Sequence, residues 1–244
     1  MIVVSVLILL LAGLVPGLMV LVVPALELRR FKNLLAFSGA YLFSITVIHI
    51  LPELFETKGS RFNGIFVLFG FFLQMILEYF SSGVEHGHVH NHEEDRSILP
   101  YSMLISLCLH AFLEGTLLTH PMHAEVHTDS QPLLFGLAIH KIPEAFALMS
   151  ILVFRLGKSM LSFVLLFVFA VSSPLGLLVS DYLFFNHLIP DDLFTGLFAL
   201  VAGNFLYIST TIFFENSPNH TFKARKLFIS LLGAIVAVTI DYLL

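Results

Sequence analysis

Two short segments of this 244-residue chain pair a histidine with a glutamate at a spacing suited to holding a metal ion: Ser106-Leu-Cys-Leu-His110-Ala-Phe-Leu-Glu114-Gly and Gly136-Leu-Ala-Ile-His140-Lys141-Ile-Pro143-Glu144-Ala. In each the carboxylate follows the imidazole by four residues, and on a helix that spacing puts both side chains on one face, a turn apart. Two such faces opposed offer two imidazole nitrogens and two carboxylates. Imidazole with carboxylate suits Zn²⁺, Fe²⁺, Mn²⁺ and similar ions, whereas K⁺ and Na⁺ do not call for histidine and Cu⁺ favours sulfur. Zinc is the first choice.

The elements that must position these groups are membrane spans. With 57% hydrophobic residues and only 12% charged, the chain carries more apolar surface than one soluble core can hide. Apolar stretches of roughly 20 residues, enough to cross a bilayer as helix, recur at 2–23, 33–55, 63–81, 98–119, 131–154, 159–185, 191–214 and 222–243. Period-2 alternation is missing, so the expectation is an all-α bundle of about eight transmembrane helices rather than a barrel. Residues 1–244 then form a single transmembrane domain with a His-rich loop at 82–97. The first stretch has no basic n-region and is read as a retained span. The lone Cys108 offers no disulfide and reads as a packing residue. A net charge of −5 without a basic patch argues against a nucleic-acid partner.

Lys and Arg set the expected orientation. With the N-terminus outside, inner loops hold Arg29, Arg30, Lys32, Arg96, Arg155, Lys158, Lys223, Arg225 and Lys226, and outer loops hold Lys58 and Arg61; the positive-inside rule therefore predicts both termini outside a cell or inner membrane. The remaining cation, Lys141, falls within the fifth span, where a charge is costly and needs a reason. His110, Glu114, His140 and Glu144 lie about ten residues from a span end, near half depth at about 1.5 Å per residue. Carboxylates in hydrocarbon need compensation, and a bound cation supplies it. Pro143 removes one backbone hydrogen bond beside the site and is expected to kink or loosen the fifth span, which suits gating.

Two echoes along the chain suggest an inverted repeat around a midplane site, in a 3+2+3 arrangement with spans four and five at the centre. Gly39-Ala-Tyr-Leu-Phe-Ser resembles Gly203-Asn-Phe-Leu-Tyr-Ile, and Pro16-Gly17 resembles Pro174-Leu-Gly176. Other polar groups carry two readings each. His86, His88, His90 and His92 form a cytosolic loop that either binds released metal weakly or is a polar linker. His120, His123, His127 and Asp129 either collect metal on the outer side or are exposed loop residues. His49 and Glu53, flanking Pro52 at the outer end of span two, either serve ion access and proton coupling or sit solvated among headgroups. Glu78 and Asp181, near span ends, have no assigned role.

The paired motifs bring a known family into view. His110-Ala-Phe-Leu-Glu114-Gly115 resembles the fourth-span signature of the ZIP (Zrt/Irt-like) metal transporters, His-Asn-x-x-Asp/Glu-Gly, and His140-Lys-Ile-Pro143-Glu144 resembles their fifth-span signature. His49-Ile-Leu-Pro52-Glu53 and Gly203-Asn-Phe-Leu-Tyr207 extend the likeness over nearly the whole chain. The resemblance implies transport of Zn²⁺ or a related divalent ion, Fe²⁺, Mn²⁺ or Cd²⁺, toward the cytoplasm, by an elevator-like or rocking motion, in a protein that is often a homodimer within the lipid bilayer. It also implies that His110, Glu114, His140 and Glu144 are the primary ligands. The chain departs from the two-metal pattern of the family: Ala111 stands for Asn, Lys141 for an acidic or amide residue, and Ser172 and Ser173 stand in the body of the sixth span, where no acid occurs. Ala supplies no ligand and an ammonium group repels a cation, so a single-metal site is expected, with Lys141 in place of the second ion, either charged or as a neutral amine.

Two other functions compete. A membrane-embedded zinc hydrolase would use similar ligands, but no His-Glu-x-x-His run is present and no base is left over, so an enzyme is not expected. A proton-coupled carrier of another solute would use the carboxylates as relays.

Overall fold

The computed structural model describes residues 2–22, 28–56, 60–81, 99–119, 131–215 and 224–243. Within them the chain forms α1 (Ile2–Met19), α2 (Leu28–Ile45), a π-turn (Thr46–Ile50) leading into α3 (Leu51–Glu56), α4 (Ser60–Ser81), α5 (Leu99–Thr116), α6 (Gln131–Leu156), α7 (Met160–Phe185), α8 (Asp191–Glu215) and α9 (Ala224–Leu243). No strand occurs among the described residues. Among the described residues, seven spans are long and apolar enough to cross a membrane, α2 and α3 counting as one continuous span from Phe31 to Glu56. The eighth helix, α5, carries His110 and Glu114. The protein is an all-α membrane bundle.

The helix bounds depart from the apolar stretches at several points, and the departures have local causes. α2 begins at Leu28 rather than 33, because Arg29, Arg30 and Lys32 are good helix formers that lie beyond the apolar stretch. α1 stops at Met19, and Val20, Leu21 and Val22 follow in i→i−3 turns. The widened turn at Thr46–Ile50 precedes Pro52, whose ring would clash with the carbonyl four residues back in a regular helix. Pro143 leaves α6 unbroken from Gln131 to Leu156.

The helices pack as two groups. In one, α5 lies along α7 and α1 lies along α6 and α7; in the other, α4 lies along α8, and α2 along α9 and α8. The groups meet chiefly where α2 touches α6 and α4 touches α5. Exchanging α1 with α7, α2 with α8, α4 with α9 and α5 with α6 turns the α4–α8 pairing into α9–α2 and the α5–α7 pairing into α6–α1. These are the four most extensive pairings among the described residues, whereas the α2–α6 and α4–α5 contacts have much smaller counterparts under the same exchange.

Small residues set the closest approaches, as membrane helices favour. A Cβ on Gly115 would strike the Ser173 carbonyl and one on Gly176 the Phe112 carbonyl, so α5 and α7 press backbone to backbone from both sides. Gly70 and Gly203 do the same for α4 and α8. With its amide nitrogen turned toward α4, Asn204 donates to the Gly70 carbonyl at 2.6 Å.

Two apolar clusters lie at different levels of the bundle. One joins Tyr41, Leu42, Ile45, Leu117, Leu118, Leu133, Leu137 and Leu177 among others. The second joins Leu35, Met103, Leu104, Leu107, Leu148, Leu152, Phe169 and Ile212 among others. Along α5, His110 and Glu114 fall between Leu107 and Leu117; along α6, His140 and Glu144 fall between Leu137 and Leu148. The four polar side chains are therefore capped by hydrocarbon on both sides.

Candidate metal centre

His110 and Glu114 from α5 meet His140 and Glu144 from α6 in one cluster, each with 0% exposure. One ligand atom from each lies within 4.8 Å of the other three. His110 Nε2 is 3.0 Å from Glu114 Oε1 and 3.2 Å from Glu144 Oε1, while His140 Nε2 is 3.2 Å from Glu144 Oε1 and 3.9 Å from Glu114 Oε1. The two rings stand nearly perpendicular, at 87°, with centroids 6.2 Å apart. Ligands about 2.1 Å from a tetrahedral zinc ion are separated by about 3.4 Å, and the four imidazole–carboxylate distances bracket that value. Oε1 of Glu114, Oε1 of Glu144 and both ring nitrogens of His140 make no hydrogen bond of acceptable angle despite full burial. Leaving such groups unsatisfied costs about 1–3 kcal/mol each, and a cation among them would remove that cost for the two Oε1 atoms and His140 Nε2.

The carboxylates divide their oxygens. Each turns Oε1 toward the imidazoles and Oε2 toward Lys141, whose ammonium group donates to Glu114 Oε2 and, at 3.0 Å, to Glu144 Oε2. Lys141 is 2% exposed, and its Nζ also sits over the Phe169 ring at 5.2 Å, a cation–π contact strengthened by the lack of water. With both imidazoles neutral, two carboxylates and one ammonium sum to a charge of −1. The positions that depart from the two-metal pattern of the family are accounted for locally. The Ala111 carbonyl accepts from Ser173 Oγ at 2.8 Å, and Ser172 Oγ donates to the Val168 carbonyl at 2.9 Å, so both serine hydroxyls are committed to backbone.

His49 and Glu53 lie apart from this cluster, at the π-turn and in α3. His49 Nδ1 is 2.8 Å from Asp241 Oδ1, and its Nε2 is 3.9 Å from Glu53 Oε2. Asp241, near the end of α9, is a partner that the sequence reading missed. The available signal was topological, since the end of an eighth span returns to the membrane face at which a second span ends. His86, His88, His90 and His92, and likewise His120, His123, His127 and Asp129, lie outside the described residues.

A search of curated proteins finds no match to this chain. The family model described as ZIP Zinc transporter matches residues 85–241, more than half of the chain, including both His/Glu motifs. That match, on an all-helical bundle with a buried His/Glu cluster at its centre, means that the chain belongs to the ZIP zinc transporter family.

Proposed function

We propose that this protein carries one Zn²⁺ at a time across the membrane, held by His110, Glu114, His140 and Glu144 near mid-bilayer. The supporting observation is the meeting of imidazole Nε2 and carboxylate Oε1 atoms at tetrahedral-edge distances, sealed by apolar layers on both sides. Lys141 takes the place of a second ion. The site charge of −1 becomes +1 with one divalent cation, and a second would bring it to +3 against an ammonium group, in surroundings where like charges are repelled strongly. Borderline ions such as Fe²⁺, Mn²⁺ and Cd²⁺ share the donor preference and are secondary cargo. Inward movement follows from the family and from the orientation that the basic residues predict, and His49 and Glu53 stand at the outer mouth as ion-access groups. Pro143 leaves the Ile139 carbonyl without its usual partner one turn from Glu144, a soft point in α6 for gating.

A catalytic zinc site needs an open position for water and a path for substrate; here all four polar groups are spent as ligands and hydrocarbon closes both sides. The deciding experiment measures zinc uptake in proteoliposomes together with bound zinc per chain. Wild type takes up zinc and binds one ion, and His110→Ala and Glu144→Ala do neither. Uptake unchanged in both variants removes the site, and two ions bound by wild type remove the role given to Lys141.

A further inference from the structure

The contact between α2 and α6 joins the two helix groups, and at its centre stands a fully buried tyrosine, Tyr41, 0% exposed. Its ring fills a notch left by Gly136, where a Cβ would come within 2.6 Å of the ring edge. Phe135 packs edge-on against it at 5.5 Å between centroids. Its hydroxyl donates to the Pro132 carbonyl at 2.7 Å. Pro132, Phe135 and Gly136 make up one turn of α6, and His140 and Glu144 follow one and two turns further along the same helix. One side chain of α2 thus fixes the register of the helix that supplies half of the metal cluster.

Leu42 and Ile45 from α2 share one buried apolar cluster with Leu133 and Leu137 from α6. Apolar contact is non-directional and tolerates sliding, whereas a hydrogen bond is lost once its partners separate beyond about 3.5 Å. The same residues, with Leu117 and Leu118 of α5, form the hydrocarbon layer over one side of the cluster. A shift of α6 against α2 would open that side. We infer that Tyr41 is a positioning residue for transport: its ring and hydroxyl hold α6 in the sealed register, and the Tyr41–Pro132 bond breaks each time the cluster opens past Leu133 and Leu137. The inference rests on the carrier reading above.

Tyr41→Phe keeps the ring and deletes the bond, and Gly136→Ala fills the notch and displaces the ring. Both are built in a Cys108→Ser background with spin labels at Phe167 on α7 and Leu231 on α9, which lie in different helix groups and are each 53% exposed. Distances are measured in lipid nanodiscs without added metal. One distance dominates in the parent, and Tyr41→Phe moves population to a second distance by roughly fivefold, the worth of one buried hydrogen bond; Gly136→Ala moves it further. Zinc uptake by Tyr41→Phe shows a raised Vmax at unchanged KM, because no ligand is touched. Distance distributions identical to the parent in both variants overturn the inference, as does a change in KM without a change in distance. A parent protein that moves no zinc overturns the carrier reading instead, and the metal-free distances are read independently of that result.

Discussion

His110 Nε2 and Glu144 Oε1 approach to 3.2 Å although they belong to different helices. The cluster is therefore held across the α5–α6 contact rather than within either helix. His110 and Glu114 alone, or His140 and Glu144 alone, would give a two-donor site on one helix face; the cross-helix approach makes it a four-donor site.

Glu144→Gln keeps the size of the side chain and removes its charge. Zinc affinity is expected to fall by at least about a hundredfold, since loss even of a supporting partner costs a metal site 10- to 100-fold. Isothermal titration of the purified protein checks this, with uptake at background as the parallel readout.

Lys141→Met replaces the ammonium group by an apolar side chain of similar length and leaves two carboxylates facing each other in the core. The metal-free variant is expected to lose about 3–5 kcal/mol of stability, the cost of removing one partner from a buried ion pair. Zinc is expected to restore more stability to the variant than it adds to wild type. Thermal unfolding in detergent, with and without zinc, reads both values, and equal zinc gains in the two proteins would contradict the charge balance described above.

Gly176→Ala places a Cβ against the Phe112 carbonyl, a backbone atom that cannot rotate away. Overpacking of this kind costs about 1–3 kcal/mol, and because α7 braces α5 it should weaken zinc binding as well. Gly64→Ala is the control: the nearest atom to its added Cβ is on the Phe55 ring at 3.8 Å, and its stability should stay within about 0.5 kcal/mol of wild type.

Asp241→Asn removes the carboxylate beside His49 and leaves the central cluster intact. If this group of charges concentrates cations at the mouth of the carrier, zinc KM rises by up to about tenfold at unchanged Vmax, and the effect fades at high ionic strength. A fall in Vmax at constant KM would assign Asp241 to the moving parts of the protein.

The central cluster was legible because it depends on local geometry. Four-residue spacing on a helix fixes which side chains share a face, and the rarity of His and Glu in lipid singles them out. The division of each carboxylate between Lys141 and the imidazoles was not legible, because it depends on how far α5 and α6 approach and rotate, and a glycine–carbonyl contact on α7 sets part of that. Asp241 was missed for a related reason: a lone acid at a span end carries no pattern until α9 packs along α2. The early start of α2 at Leu28 shows the limit of hydropathy itself, which marks where lipid begins rather than where backbone hydrogen bonding begins.

The lysine beside the cluster bears on the half of the cycle that moves no cargo. A carrier must reset after release, and two bare acids crossing oil would make that journey prohibitive without borrowed protons or water. If the cluster moves with its cargo, the Lys141 ammonium group on α6, bonded to one acid from α5 and one from its own helix, would travel with both, so the empty protein would return with a single net negative charge instead of two.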